Sequence, residues 1–300
     1  MAEELAQTSW RGMRISHPAQ WELAIASGAD EPGRCVFVDR TDQRLDLRWR
    51  PIKYVPDLDK VLQKHRDKRN DKERFSEMTG APANWRGLVR KAKRGTVVHA
   101  GTFFRNRRCL VEVTVFWPGR RNMDLEREIL SSVHTEDPDA EARLWRAMGM
   151  SLRLDRRYDL KKSSASVGRI KWTFTTGRKR GPQLVIERIA MVDCWLKVPL
   201  RDWLEAELPQ GRKVLRRDPM VYNTHRGEQL MTHSRISTLA GLRGLRNLHL
   251  DLAWTCPIEQ RLYHVSFMEA SRDEEVSLPK HLEIECCRPI LAVRPDRART

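Results

Sequence analysis

"GMRISHPAQWEL" (Gly12–Leu23) and "GMSLRLDRRYDL" (Gly149–Leu160) open on the same Gly-Met pair and close, at equal distance, on aromatic, acid, leucine. The offset is 137 residues. Carried forward without gaps, it sets Phe37 on Phe174, Leu47 on Leu184, Trp49 on Ile186 and Val55 on Val192, so apolar positions meet apolar positions. Alignment drifts in the middle and returns near the end of each half. There Val111, Val113, Val115 and Trp117 fall on Leu248, Leu250, Leu252 and Trp254. Self-similarity at a fixed period reads as a duplicated unit, expected over residues 10–137 and 147–290.

Each half then runs in one order. Strands are expected around "CVFVD" (35–39) and "IKWTFTT" (170–176), each turning into a second strand, "RLDLRWRPI" (44–52) or "QLVIERIAMV" (183–192). Alternation of period two with turn residues between the runs predicts a β-hairpin. In "RLDLRWRPI", Leu45, Leu47 and Trp49 form the core side, and Arg44, Asp46, Arg48 and Arg50 the wetter side. A helix with a proline near its start follows: "VPDLDKVLQKHRDK" with Leu58, Val61, Leu62 and His65 at helical spacing, and "VPLRDWLEAEL" with Leu200, Trp203, Leu204 and Leu208. Alternating strands resume in "TVVHAGTFF", "CLVEVTVFW", "EQLMTHSRIS", "LRNLHLDLAW" and "RLYHVSFMEA". Closing helices are expected in "DLEREILSSVH" and "LPKHLEIECC", and a bridging helix over 139–148. The fold class expected is therefore α+β, two tandem similar domains, each an antiparallel sheet with flanking helices.

This order, together with "HPAQWEL", "LDLRWRPI" and "LAWTCPIEQRLYHVSF", resembles the Mog1/PsbP-like α/β/α sandwich domains. The resemblance is topological and spans about 130 residues of each half. It implies a noncatalytic binding module that serves a partner protein or a larger assembly, and it carries over no site residue. The second half departs from the pattern, with Leu154 and Asp155 where the first has His17 and Pro18.

The chain has 56 Lys and Arg against 40 Asp and Glu, a net charge of +16. Residues 1–145 hold 27 basic and 22 acidic groups, and 146–300 hold 29 and 18, so the second half carries most of the excess. Such a field favours polyanions and also raises solubility. The second-half loops supply the polyanion-binding candidates Arg178, Lys179, Arg180, Arg212, Lys213, Arg216 and Arg217, with Trp85 or Trp172 as stacking platforms for unpaired bases. Convergence of these clusters on one groove would favour nucleic acid; scatter would leave the charge to solubility. The tryptophans otherwise read as strand core.

No run of about 18 apolar residues occurs and the N-terminus lacks the pattern of a signal peptide, so a cytoplasmic protein without membrane insertion is expected. The six cysteines form no CxxC pair and suit reduced thiols; Cys286 and Cys287 lack a second pair at zinc spacing, and no metal site or cofactor is expected. No phosphate-loop, dinucleotide-binding, HExxH or GxSxG motif is present. His99 and His233 read as strand histidines, and Cys194 as packing. With no catalytic residue nominated, the expectation is a nonenzymatic macromolecule-binding or scaffold protein. Its first-choice partner is another protein, with nucleic acid as the alternative.

Overall fold

A computed structural model describes residues 4–28, 32–67, 75–178, 181–235, 246–271 and 275–287. The chain divides into two compact units, the first running to Gly149 and the second spanning Met150–Pro289.

In the first unit the strands are β1 (Leu5–Trp10), β2 (Met13–Pro18), β3 (Glu22–Ala26), β4 (Gly33–Val38) and β5 (Gln43–Pro51). After helix α1 (Leu58–Asp67) come β6 (Phe75–Glu77), β7 (Arg86–Ala92), β8 (Gly95–Phe104) and β9 (Cys109–Trp117). Helix α2 (Met123–Ser131), β10 (His134–Thr135) and β11 (Ala142–Ala147) follow. An antiparallel sheet runs β3-β4-β5-β9-β8-β7-β6, and β10-β2-β1-β11 are neighbours in a second sheet.

The second unit begins with β12 (Met150–Asp155), β13 (Asp159–Ser166), β14 (Arg169–Thr175) and β15 (Gln183–Ala190). Helices α3 (Val192–Trp195) and α4 (Leu200–Ala206) precede β16 (Lys213–Tyr222), β17 (His225–Arg235), β18 (Arg246–Cys256), β19 (Arg261–Ser271) and β20 (Glu283–Glu285). Here the sheet runs β13-β14-β15-β19-β18-β17-β16, and β12 pairs with β20. Each seven-stranded sheet therefore places its last strand beside its third, with the remaining strands following in reverse order.

Period-two patterning explains these strands. On β9, Val111, Val113 and Val115 are buried, and on β19, Tyr263, Val265 and Phe267 are buried. Leu47 lies opposite Val113, as Ile186 lies opposite Val265. By position in the sheet β9 therefore answers to β19, not to β18, where a constant 137-residue offset puts it. The offset fails because the connections differ in length: Phe37 pairs with Leu45, whereas Phe174 pairs with Leu184, two residues further on.

Strands dominate both units. The four α-helices among the described residues are only ten, nine, four and seven residues long. The fold is thus antiparallel sheet with few helices, rather than the expected sheets with flanking helices. Asp57 Oδ1 caps α1 by accepting from the Asp59 and Lys60 amides, and Asn122 caps α2 through Leu125 N. The bridging helix expected over 139–148 is instead mostly β11, where Trp145 and Ala147 are buried on alternate positions. "LPKHLEIECC" likewise gives the strand β20 after a turn, because Ile284 pairs with Leu152 and buries its side chain.

In "RLDLRWRPI", Leu45 and Leu47 are core, while Trp49 is half-buried, its ring lying where a Cβ on Gly33 would sit. Asp46 is not on a wet face. It is buried and gripped through both oxygens by Arg34 (3.1 and 2.8 Å) and Arg48 (3.1 and 2.8 Å). The second unit carries a related pair between β14 and β15, Arg169 on Glu187.

Candidate functional site

The seven polyanion-binding candidates do not come together. Lys179 and Arg180 lie outside the described residues, as do residues 241–245 of the "GLRGLR" run. Arg178 follows β14, while Lys213, Arg216 and Arg217 are on β16, the far edge of the sheet. At about 4.8 Å per strand, four strand spacings from β15 to β16 amount to roughly 19 Å. Three of the arginines are already engaged: Arg212 with Asp251 (2.8 Å), Arg216 with Asp218 (2.6 Å) and Arg217 with Glu205 (2.6 Å). Trp85 and Trp172, the stacking candidates, are 4% and 0% exposed and present no face to a base. His99 bonds Thr114 across the sheet at 3.0 Å, and Cys194 is exposed rather than packed.

What the second unit does assemble is a charged cluster beneath α4. Leu204 of α4 packs on Leu230 and Ala253, which fixes the helix over β17 and β18. The same face of the sheet carries Glu187, His264 and Asp251, because Glu187 pairs with His264 and His264 with Ala253. The His264 ring nitrogens lie 3.7 Å from Glu187 Oε2 and 3.6 Å from Asp251 Oδ1. Arg169 donates to both oxygens of Glu187 at 2.6 and 2.9 Å. Both carboxylates are 2% exposed.

Burial works against each of these charges, and pairing overcomes it. For Glu187 burial is the largest influence and raises the pKa, yet His264 and Arg169 together pull it down to about 2. Asp251 is lowered in the same way, burial being outweighed by His264, Ser266 and Arg212. Burial alone would discharge His264, but Asp251 and Glu187 raise its pKa.

This cluster supports an aromatic surface. The Trp203 ring meets His264 edge-on at 5.7 Å, and Trp195 lies against Trp203 at 6.1 Å. Trp195 Nε1 donates to Ala190 O at 2.9 Å, so the indole is held at both ends while remaining 36% exposed. Met191 and Val198, in the same connection, are 63% and 51% exposed. Met191 has φ of 55°, left-handed backbone that a residue with a Cβ adopts at a cost. Val192 N donates to Gln260 O at 3.1 Å, tying this segment to the β18–β19 turn, where Ile258 is 70% exposed. Nothing in the sequence singled out Trp195, since Trp21 and Trp85 also lie outside strands and are buried.

Folding also gathers donors that are scattered in sequence. His225, Cys256, Cys286 and Cys287 place one ligand atom each within 4.8 Å of one another. The Sγ atoms of Cys256 and Cys287 are 3.3 Å apart, those of Cys286 and Cys287 3.9 Å. Burial pushes the thiols of Cys286 and Cys287 up, the latter to about 12. Spacing along the chain gave no metal set because the four residues come from a hairpin end, a strand end and the segment after β20. A separate cleft of about 610 Å³ in the first unit, lined by Asp59, Gln63, Arg66, Glu77, Met78 and Trp85 among others, brings no such constellation together.

No family model matches the chain, and no curated protein matches it. Among solved structures, the apo structure of the immunity protein TplEi of the T6SS from Pseudomonas aeruginosa is similar at 10% identity, with a TM-score of 0.36, covering 89% of this chain and 88% of that one. Similarity of that order carries no argument about function, which rests here on the chain's own residues. No helix among the described residues is long and apolar enough to cross a membrane.

Proposed function

We propose that the protein is a nonenzymatic binding module that docks another protein through the Met191–Val198 connection of the second unit, in a reducing, cytoplasmic setting. The observation that carries this reading is the exposed, braced Trp195. A rigid aromatic with apolar neighbours and a polar surround is the composition of an interface hot spot. Ordering cost has largely been met beforehand, since Trp195 is fixed by its own hydrogen bond and by Trp203. The six unbridged thiols support the compartment, and the common strand order of the two seven-stranded sheets supports a duplicated ancestor.

Nucleic acid is the weaker reading because three of the arginines nominated for phosphate contact, Arg212, Arg216 and Arg217, are paired with acids, and the nominated stacking tryptophans are buried. The deciding experiment measures retention of labelled single-stranded RNA and duplex DNA between low and moderate salt, alongside co-purification of a stoichiometric partner from native cells. Partner recovery lost in Trp195→Ala, with no salt-dependent nucleic-acid retention, is the expected result. Salt-dependent retention that Trp195→Ala leaves intact would transfer the function to the basic residues.

A further inference from the structure

The geometry points to a structural zinc site in the second unit, with Cys256, Cys286, Cys287 and His225 as its four ligands. Tetrahedral zinc with Zn–S of about 2.3 Å and Zn–N of about 2.0 Å needs donor atoms roughly 3.5–3.8 Å apart. The two sulfur separations, 3.3 and 3.9 Å, bracket that range, whereas His225 Nε2, at 2.5 Å from Cys287 Sγ, is closer than a bound zinc would set it. Three thiolates and one imidazole suit zinc better than a hard cation, and a set of four protein donors leaves no position for substrate.

The backbone is shaped to present these donors. Adjacent residues on an extended strand point to opposite faces, so Cys286 and Cys287 would ordinarily diverge. Cys287 instead takes φ of 65°, the left-handed region, which brings its sulfur to the side of Cys286. A Gly would adopt this conformation without strain; a cysteine there has a use for its thiol. On the opposite wall, the β16–β17 turn has φ of 45° at Asn223 and 71° at Thr224, which returns the chain so that His225 starts β17 facing Tyr222.

A second layer holds the segments together. Asn223 Nδ2 donates to Ile284 O at 3.0 Å and lies 4.0 Å from Cys286 Sγ, and Ile284 N donates to Tyr222 Oη at 2.6 Å. Tyr222 in turn stacks on Trp254, two residues before Cys256. These contacts align the turn, the end of β18 and the residues after β20. A metal at their meeting point would pin the short strand β20 to the main sheet.

Elemental analysis of the full chain, purified from zinc-supplied cells, tests the site. The expected content is one zinc per chain, unchanged in Cys194→Ser, whose thiol is exposed and remote in sequence, and at least about tenfold lower in Cys256→Ser, Cys287→Ser and His225→Ala. Because those variants can also fail to fold, the wild-type chain is stripped with a chelator and titrated with Co²⁺. A near-ultraviolet thiolate-to-cobalt band with tetrahedral visible absorption, displaced by Zn²⁺, is expected, as is a fall in Tm on stripping that Zn²⁺ and not Mg²⁺ reverses. Wild-type protein that retains no zinc and gives no thiolate-to-cobalt band overturns the proposal. So does recovery of a Cys256–Cys287 disulfide from protein prepared with zinc.

Discussion

Replacing Glu187 by glutamine keeps the side chain's size and removes a buried anion held between Arg169 and His264. The displacement of its pKa from 4.5 to about 2, at roughly 1.4 kcal/mol per pH unit, makes the ionised form worth about 3 kcal/mol to the folded state. Solvent screening reduces this little, since the carboxylate is 2% exposed; Arg169, at 44% exposed, can turn to water once its partner is gone. A depressed carboxyl pKa stabilises fully above the unfolded value, and that stability is lost as pH falls through the folded value. Wild type should therefore exceed Glu187→Gln by about 3 kcal/mol at pH 7, by about 1 kcal/mol at pH 3, and by almost nothing near pH 2. Urea titrations followed by tryptophan fluorescence at these pH values provide the comparison. A difference that stays constant from pH 7 to pH 3, or one near zero at pH 7, would refute the buried, ionised Glu187.

Leu204→Ala should cost about 2–5 kcal/mol in urea denaturation, because it opens a cavity where α4 meets Leu230 and Ala253. If α4 were only loosely laid on the sheet, the loss would be below about 1 kcal/mol. Met191→Gly should raise stability by about 0.5–1 kcal/mol, since glycine adopts its left-handed backbone without strain, while weakening partner capture in the same preparation. A loss of stability in that variant would show that the Met191 conformation is unstrained. Asp46→Asn should cost about 1–3 kcal/mol at pH 7, as Arg34 and Arg48 lose their common carboxylate, and wild type and variant should converge in acid.

Much of the sheet was legible because burial on one face forces period two. "CLVEVTVFW" and "RLYHVSFMEA" could be read directly as β9 and β19, and "VPLRDWLEAEL" as the region of α4. Equivalence between the halves was less legible. Apolar alternation is degenerate, so Val111–Trp117 matched the alternating residues of β18 as readily as those of β19, and only the pairing of β9 with β5 and of β19 with β15 decides between them.

Short β20 could not be told from a helix end, since three residues carry too little periodicity. The buried acids illustrate a different limit. Asp46 looked like surface charge because Arg34, on neighbouring β4, closes over it only when the sheet forms, as Arg169 on β14 does over Glu187. The four metal donors proposed above were hidden for the same reason, since a ligand set drawn from three segments has no spacing to read.

Site-specific photo-crosslinking from position 195 tests the central claim most directly. A benzophenone amino acid in place of Trp195, irradiated in intact native cells, should give one saturable adduct with a defined protein. The same group at Lys162 on the edge strand β13 should give none. Equal, diffuse labelling from both positions, or adducts with nucleic acid alone, would contradict a protein-docking surface at Trp195.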